Sequence, residues 1–116
     1  MNVWKYFEVA EKVANTKEDQ RIHRLGAVGL RSDGVLVAAT NAPAQDKAPF
    51  AHAEARLCRK LDKGAVVFVS RSSNEKHLRY KLARPCESCQ RLMARKKVER
   101  VYYTISDNEY GVLDLV

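Results

Sequence analysis

Near the N-terminus, apolar residues recur at three- and four-residue intervals. Val3, Tyr6, Phe7, Ala10, Val13 and Ala14 share one face of a helical wheel, so residues 2–15 are expected to form an amphipathic helix. Residues 15–21 are polar and read as a connection. Two short apolar runs follow, LGAVGL at 25–30 and VLVAA at 35–39, with Arg31-Ser32-Asp33-Gly34 between them. Asp-Gly between two such runs is a strong hairpin signal. Residues 41–50 hold two prolines and little periodicity, so they read as loop. A second helix is expected over about 51–61, with Gly64 a plausible residue just past its end. The run AVVFVS at 65–70 is continuous and β-branched, the pattern of a strand buried on both faces. Residues 71–84 are polar, basic and irregular, and a third helix is expected from about 86 to 97, with Leu92 and Met93 among its buried residues. Residues 98–105 and 110–116 read as strands, and the short turn between them makes them antiparallel neighbours.

The order of elements is therefore α-β-β-α-β-α-β-β. Strands separated by helices require parallel crossovers, so the expected class is α/β: a five-stranded mixed sheet flanked by helices in three layers. At 116 residues the chain is expected to be a single domain, 1–116, able to bury one core without disulfides. A hydrophobic fraction of 46% and a charged fraction of 30% are those of an ordinary soluble protein. No segment is apolar enough to span a membrane, and the first residues carry acids, unlike a secretory signal, so a cytoplasmic location is expected. Three cysteines, two of them in a CxxC, argue against a disulfide framework and for metal binding or redox chemistry. The net charge of +7 fits an anionic partner, either nucleotide phosphates or a nucleic acid, although solubility alone also accounts for it.

Two stretches carry chemistry. PFAHAEA at 49–55 places His52 and Glu54 at the opening of the second helix, and RPCESC at 84–89 places Cys86 and Cys89 at the opening of the third. Spacing of i and i+3 puts both sulfurs on one helix face, where the helix dipole favours thiolates. If the two helix starts meet at one end of the sheet, His52, Cys86 and Cys89 offer one nitrogen and two sulfurs, a donor set suited to Zn²⁺. Three protein ligands leave the fourth tetrahedral position to water, the arrangement of a catalytic site. Glu54 is close enough in sequence to lie beside the metal as the group that takes a proton from that water.

H-x-E followed by P-C-x-x-C is the signature of zinc nucleobase deaminases, and the sequence resembles the cytidine deaminase superfamily. The expected element order matches that family's core from Val3 to at least Ile105, and each motif falls at the helix start where the family has it. The resemblance implies a cytidine-deaminase-like fold, zinc held by His52, Cys86 and Cys89, and Glu54 as the proton shuttle. It also implies that Asn41, in ATNAP, contacts the substrate sugar; a plain turn role would serve an asparagine there equally. Cytosine would become uracil, with no organic cofactor.

Other residues have two readings. Phe50 either walls the pocket or simply packs, while Ala53 and Arg84 flank the motif residues and are further candidate substrate contacts. Cys58 follows His52 in the same helix and would close the site as a fourth ligand; beside Leu57 and Leu61 it reads as a small buried hydrophobe. His23 and His77 read as surface or local structure, and Trp4 as core. The stretch 71–84 leads into the cysteine helix, so Arg71, Lys76, Arg79, Lys81 and Arg84 offer phosphate contacts and Tyr80 a stacking ring, unless the stretch is merely a solvated loop. Arg91, Arg95, Lys96 and Lys97 read as the exposed end of a helix.

Polynucleotide-editing members of the superfamily extend the core with further helices, whereas the expected C-terminal hairpin is similar to that of free-nucleoside deaminases. Their common Cys-Ala-Glu form of the first motif is replaced here by His-Ala-Glu. The resulting expectation is a cytosine deaminase acting on a free nucleoside or nucleotide such as cytidine, deoxycytidine or dCMP, self-associated as a homo-oligomer. The alternatives are a deaminase of single-stranded DNA or RNA, acting on cytosine or adenine, and a non-catalytic zinc-stabilised binding module. The intact Glu54 argues against the last.

Overall fold

The computed structural model describes residues 2–15, 24–40, 53–72 and 78–115. Helix α1 spans Val3–Asn15, and strands β1 (Arg24–Leu30) and β2 (Leu36–Thr40) follow it. Helix α2 spans Ala53–Leu57 and tightens into a 3₁₀ turn over Cys58–Lys60. Strands β3 (Val66–Ser72) and β4 (Tyr80–Lys81) lead into α3 (Glu87–Arg95), and β5 (Arg100–Thr104) and β6 (Tyr110–Asp114) complete the order. Among the described residues these strands form one sheet in the order β2-β1-β3-β5-β6. β3 and β5 run parallel across the α3 crossover, and the other pairs are antiparallel, β5 with β6 included.

The mixed sheet and the antiparallel last pair agree with the expectation, but the sheet gains a sixth strand. Tyr80–Lys81 pairs antiparallel with the end of β3, Arg71 opposite Lys81 and Ser72 opposite Tyr80, within the stretch read as irregular. Two residues carry no readable alternation, so nothing local announced the strand. The second helix ends close to where it was expected, its last turn a 3₁₀ turn over Cys58–Lys60. Leu61 is extended (φ −91°, ψ 158°) and buries its side chain, which takes the chain out of the helix before Gly64. Gly64 is accordingly no helix-terminating residue. It turns at φ +87° ahead of β3, and its N–H donates to Lys97 O at 2.8 Å.

Alternation along the strands divides the core between the two faces of the sheet. Ala27, Val67, Val69, Val101 and Tyr103 point to one face and pack with Leu57 of α2, with Cys58 and Leu61 just after it, and with Cys89 and Met93 of α3. Val28, Phe68 and Tyr102 point to the other, where Val3, Phe7 and Ala10 of α1 cover them, with Tyr6 and Val13 partly buried against them. Three layers result: α2 and α3, the sheet, and α1. Phe68 lies between two stacked rings, Tyr6 at 4.5 Å and Tyr102 at 5.2 Å between centroids. Offset pairs of this kind are worth roughly 0.5–1.5 kcal/mol beyond the area they bury. Trp4 packs partly buried at the edge of the same cluster, edge-on to Phe7.

Helix α3 ends by a route its sequence hides. Lys97 takes φ 62°, its N–H donates to Ala94 O at 3.0 Å, and Val98 N–H donates to Met93 O at 3.1 Å. These two bonds form a Schellman motif, completed by the buried pair Met93 and Val98, with lysine where glycine is usual. The side chains of Arg91, Arg95, Lys96 and Lys97 are exposed, as expected for a helix end.

Candidate active site

α2 and α3 pack against each other on one face of the sheet, and the first turn of α2 reaches that of α3 through Glu54 and Cys89. The first turn of α2 is buried, with Ala53 fully enclosed and the Glu54 side chain only 3% exposed. A carboxylate this deep is costly unless polar or charged partners face it. Its surroundings include Cys58 and Cys89, whose thiols both feel its charge.

The cysteine pair sits at the opposite helix start. Cys86 is the extended residue just before α3 (φ −65°, ψ 163°), and its side chain caps no backbone N–H. Its sulfur lies exposed, 3.1 Å from Ser88 Oγ. Cys89, one turn on, is fully buried. No disulfide links the three cysteines. Burial pushes the Cys89 thiol well above the ordinary thiol range, and the negative charge of Glu54 and a hydrogen bond with Cys86 push it the same way. The segment before α3 is braced: Gln90 Nε2 donates to Pro85 O at 2.8 Å, and Gln90 N–H donates to Cys86 O at 3.0 Å.

This donor set fits a zinc ion. Two thiols that hydrogen-bond each other, with a buried carboxylate close by, concentrate acceptor and latent anionic groups that a divalent cation would satisfy, and coordination deprotonates a thiol that burial otherwise keeps neutral. Among the described residues no three His, Cys, Asp or Glu side chains gather into a metal cage. His52, the third expected ligand, lies outside the described residues, as do Asn41 and Phe50 and the side chains of His23, Lys76 and His77.

Cys58 is 5% exposed, and its thiol is pushed up by burial, partly offset by Lys96. It packs within the core on the α2–α3 face, as its apolar neighbours implied.

The basic stretch before α3 divides into parts with different work. Arg79 does not face the site. Its guanidinium is bonded to Glu11 of α1, Nη2 to Oε1 at 2.6 Å and Nε to the same carboxylate at 3.1 Å, with Glu8 at 3.8 Å. Tyr80 is 4% exposed and belongs to the α1-side core, against Trp4. The readings of Arg79 as a phosphate contact and Tyr80 as a stacking ring are therefore corrected: the chain entering β4 turns both toward α1. From Leu82 onward exposure alternates, with Leu82, Arg84 and Cys86 exposed and Ala83 and Pro85 buried. Arg84 thus stays on the same outward side as Cys86. Leu82, half exposed there, was not singled out in the sequence, where one leucine between charged residues gives no signal.

Thr104 is a second residue the sequence did not announce. It ends β5 fully buried, and its hydroxyl donates to Lys81 O at 2.8 Å while accepting Arg71 N–H at 3.3 Å. Its own carbonyl accepts Ala83 N–H at 2.8 Å. A small polar residue closing the strand after Val101, Tyr102 and Tyr103 is the trace this leaves in the sequence.

Among the described residues no helix is long and apolar enough to cross a membrane. A search of curated protein sequences finds no match. Among solved structures, the chain is similar to the 1.6 Å crystal structure of cytidine deaminase from Burkholderia pseudomallei, with a TM-score of 0.68, 16% identity, and coverage of 99% of this chain and 94% of that one. At that identity the likeness establishes the fold. The family model described as the cytidine and deoxycytidylate deaminase zinc-binding region matches residues 2–105, a span holding both the His-Ala-Glu and the Pro-Cys-x-x-Cys motifs. The chain belongs to the cytidine and deoxycytidylate deaminase family, and zinc is the metal of its site.

Proposed function

We propose that the chain is a single zinc-dependent deaminase domain that hydrolyses the exocyclic amine of cytosine in a free nucleoside or nucleotide such as cytidine, deoxycytidine or dCMP. One observation carries this reading: the buried Glu54 carboxylate at the start of α2 acts electrostatically on Cys89 of the Cys86–Cys89 pair at the start of α3. An acid–base group beside a metal-binding pair is what hydrolytic deamination needs, and a purely structural zinc site has no use for it. Cys86 and Cys89, with His52, would hold the ion. When bound, zinc supplies a Lewis acid that lets water act as a nucleophile near neutral pH.

Glu54 takes a proton from the attacking water and delivers it to the ring nitrogen next to the amine-bearing carbon. Oxygen bonds to that carbon, which becomes tetrahedral. Glu54 then moves the remaining hydroxyl proton to the amine, the carbon–nitrogen bond breaks, and ammonia leaves. One water is consumed, and cytosine becomes uracil. The burial of Glu54 keeps bulk water from competing for the proton. Ala53, beside it, is a further proposed substrate contact. Asn41 and Phe50 are proposed for the sugar and the pocket wall.

The antiparallel β5–β6 pair supports a free-nucleoside substrate, as does the cytidine deaminase fold shared over 99% of the chain. Arg84, exposed beside Cys86, supports a phosphorylated form. Self-association of the chain is part of the proposal. A second reading, a deaminase of single-stranded DNA or RNA, has one observation in its favour. Arg56, Arg59 and Lys60 line a pocket of about 350 Å³ with Val13 and residues 38–40, and no acid is among these residues.

The test is ammonia release from cytidine, deoxycytidine, dCMP, dCTP, the purine counterparts, single-stranded DNA and tRNA, offered in parallel to the zinc-loaded protein. Turnover of a free cytosine compound supports the proposal. Turnover confined to a polynucleotide would replace it with the second reading, and none on any substrate would leave a binding module.

A further inference from the structure

Thr104 stands where the sheet forks. β3 pairs with β5 from Val66 to Val69, then with β4 at Arg71 and Ser72. At that branch the Thr104 hydroxyl joins both sides, accepting from Arg71 N–H of β3 at 3.3 Å and donating to Lys81 O of β4 at 2.8 Å. Its backbone carbonyl adds a third bond, from Ala83 N–H at 2.8 Å. One buried residue therefore grips two alternate positions of the segment that runs through Pro85 into Cys86. Asp107, in the turn after β5, holds the same segment further back, its carboxylate accepting the N–H groups of Arg79 at 2.9 Å and Tyr80 at 2.7 Å.

We propose that Thr104 is a positioning residue for the metal: its hydroxyl fixes the register in which the segment 81–85 reaches α3, and so the placement of the Cys86 sulfur relative to Cys89. The inference rests on the reading of Cys86 and Cys89 as zinc ligands. Cys86 sits in the extended residue before the helix and is exposed, so the core does not hold it in place as it holds Cys89. Its backbone depends on what anchors the segment around it, and among the described residues the anchors include Gln90, on Pro85 O and Cys86 O, and Thr104, on Lys81 and Ala83. Groups that orient metal ligands from behind typically change metal affinity by about 10- to 100-fold when lost.

The experiment compares Thr104→Ser with Thr104→Ala. Both lack the methyl group and differ only in the hydroxyl, so both share whatever stability the methyl packing provides. Zinc affinity is read by chelator competition, and ligand placement by the thiolate-to-metal absorption bands of the cobalt-substituted protein. Thermal unfolding is followed with and without metal. The expected result is near-wild-type zinc affinity for Ser and an affinity lower by about 10-fold or more for Ala, with altered cobalt bands and a smaller stabilisation by zinc. Equal affinity and identical cobalt spectra for the two variants would overturn the proposal, even if Ala lowered the stability of both forms alike. Cys86→Ser and Cys89→Ser separate the two levels of argument. If they keep zinc, the ligand reading fails; if they lose it while Thr104→Ala binds as wild type does, only the positioning role fails.

Discussion

The carboxylate of Glu54 and the thiol of Cys89, from the first turns of two different helices, are both buried and lie within electrostatic reach of each other. Cys89 also packs in the core, but the carboxylate raises the cost of ionising its thiol, and both groups are removed from water. Their adjacency makes sense once a cation is placed between their interests.

Glu54→Gln keeps the shape and removes the proton carrier. Turnover is expected to fall by about 10²- to 10⁴-fold with zinc content unchanged. Ammonia release together with metal analysis checks this; deamination at the wild-type rate would sink the proton-shuttle assignment.

Arg79 and Arg84, close in sequence, should separate cleanly. Arg79→Ala breaks an exposed ion pair with Glu11 and is expected to cost about 0.2–1 kcal/mol of stability while leaving KM for any nucleotide alone. Arg84→Glu should raise KM for phosphorylated substrates over the unphosphorylated nucleoside and leave stability alone. Steady-state kinetics on a nucleoside and its monophosphate, beside urea unfolding, measure both.

The carboxyl of Asp62 is held below its ordinary value of 3.8, first by the Ser32 hydroxyl and then by the Ser32 N–H, which donates at 3.1 Å. A depressed carboxyl contributes stability above its unfolded pKa and loses it as pH falls through the folded one. Asp62→Asn should therefore be less stable than wild type at neutral pH, with the gap closing as pH drops below 4. Urea midpoints across that range report it, and a gap independent of pH would contradict it.

Lys97 occupies a left-handed conformation that glycine adopts without steric cost. Lys97→Gly is expected to raise stability by roughly 0.5–1 kcal/mol, the relief of the Cβ clash less glycine's extra entropy in the unfolded chain. Thermal unfolding measures it.

Gly111 on β6 faces Tyr103 of β5, and a Cβ there would run into the tyrosine ring. The ring covers the glycine. Gly111→Val is expected to cost about 1–3 kcal/mol, since the ring has to leave a buried position. A melting temperature equal to wild type would show that the ring yields freely.

The amino-acid sequence by itself determined the main elements of the fold and the family to which the chain belongs. Each strand on the main path of the sheet carries enough alternation or β-branching to reveal itself, and the apolar face of α1 is legible because Val3, Phe7 and Ala10 repeat at the helix period. The two motifs were legible because the chemistry needs particular atoms at particular spacings. What only the tertiary structure decided concerns contacts between distant segments. The turning of Arg79 and Tyr80 toward α1, the anchoring of Lys81 and Ala83 by Thr104 and the Ser32–Asp62 bond all join residues far apart in the chain, and the β4 pairing rests on two residues with no pattern of their own. Periodicity records how each residue relates to its own helix or strand. It holds no record of which distant backbone group a hydroxyl or guanidinium will meet once the layers close.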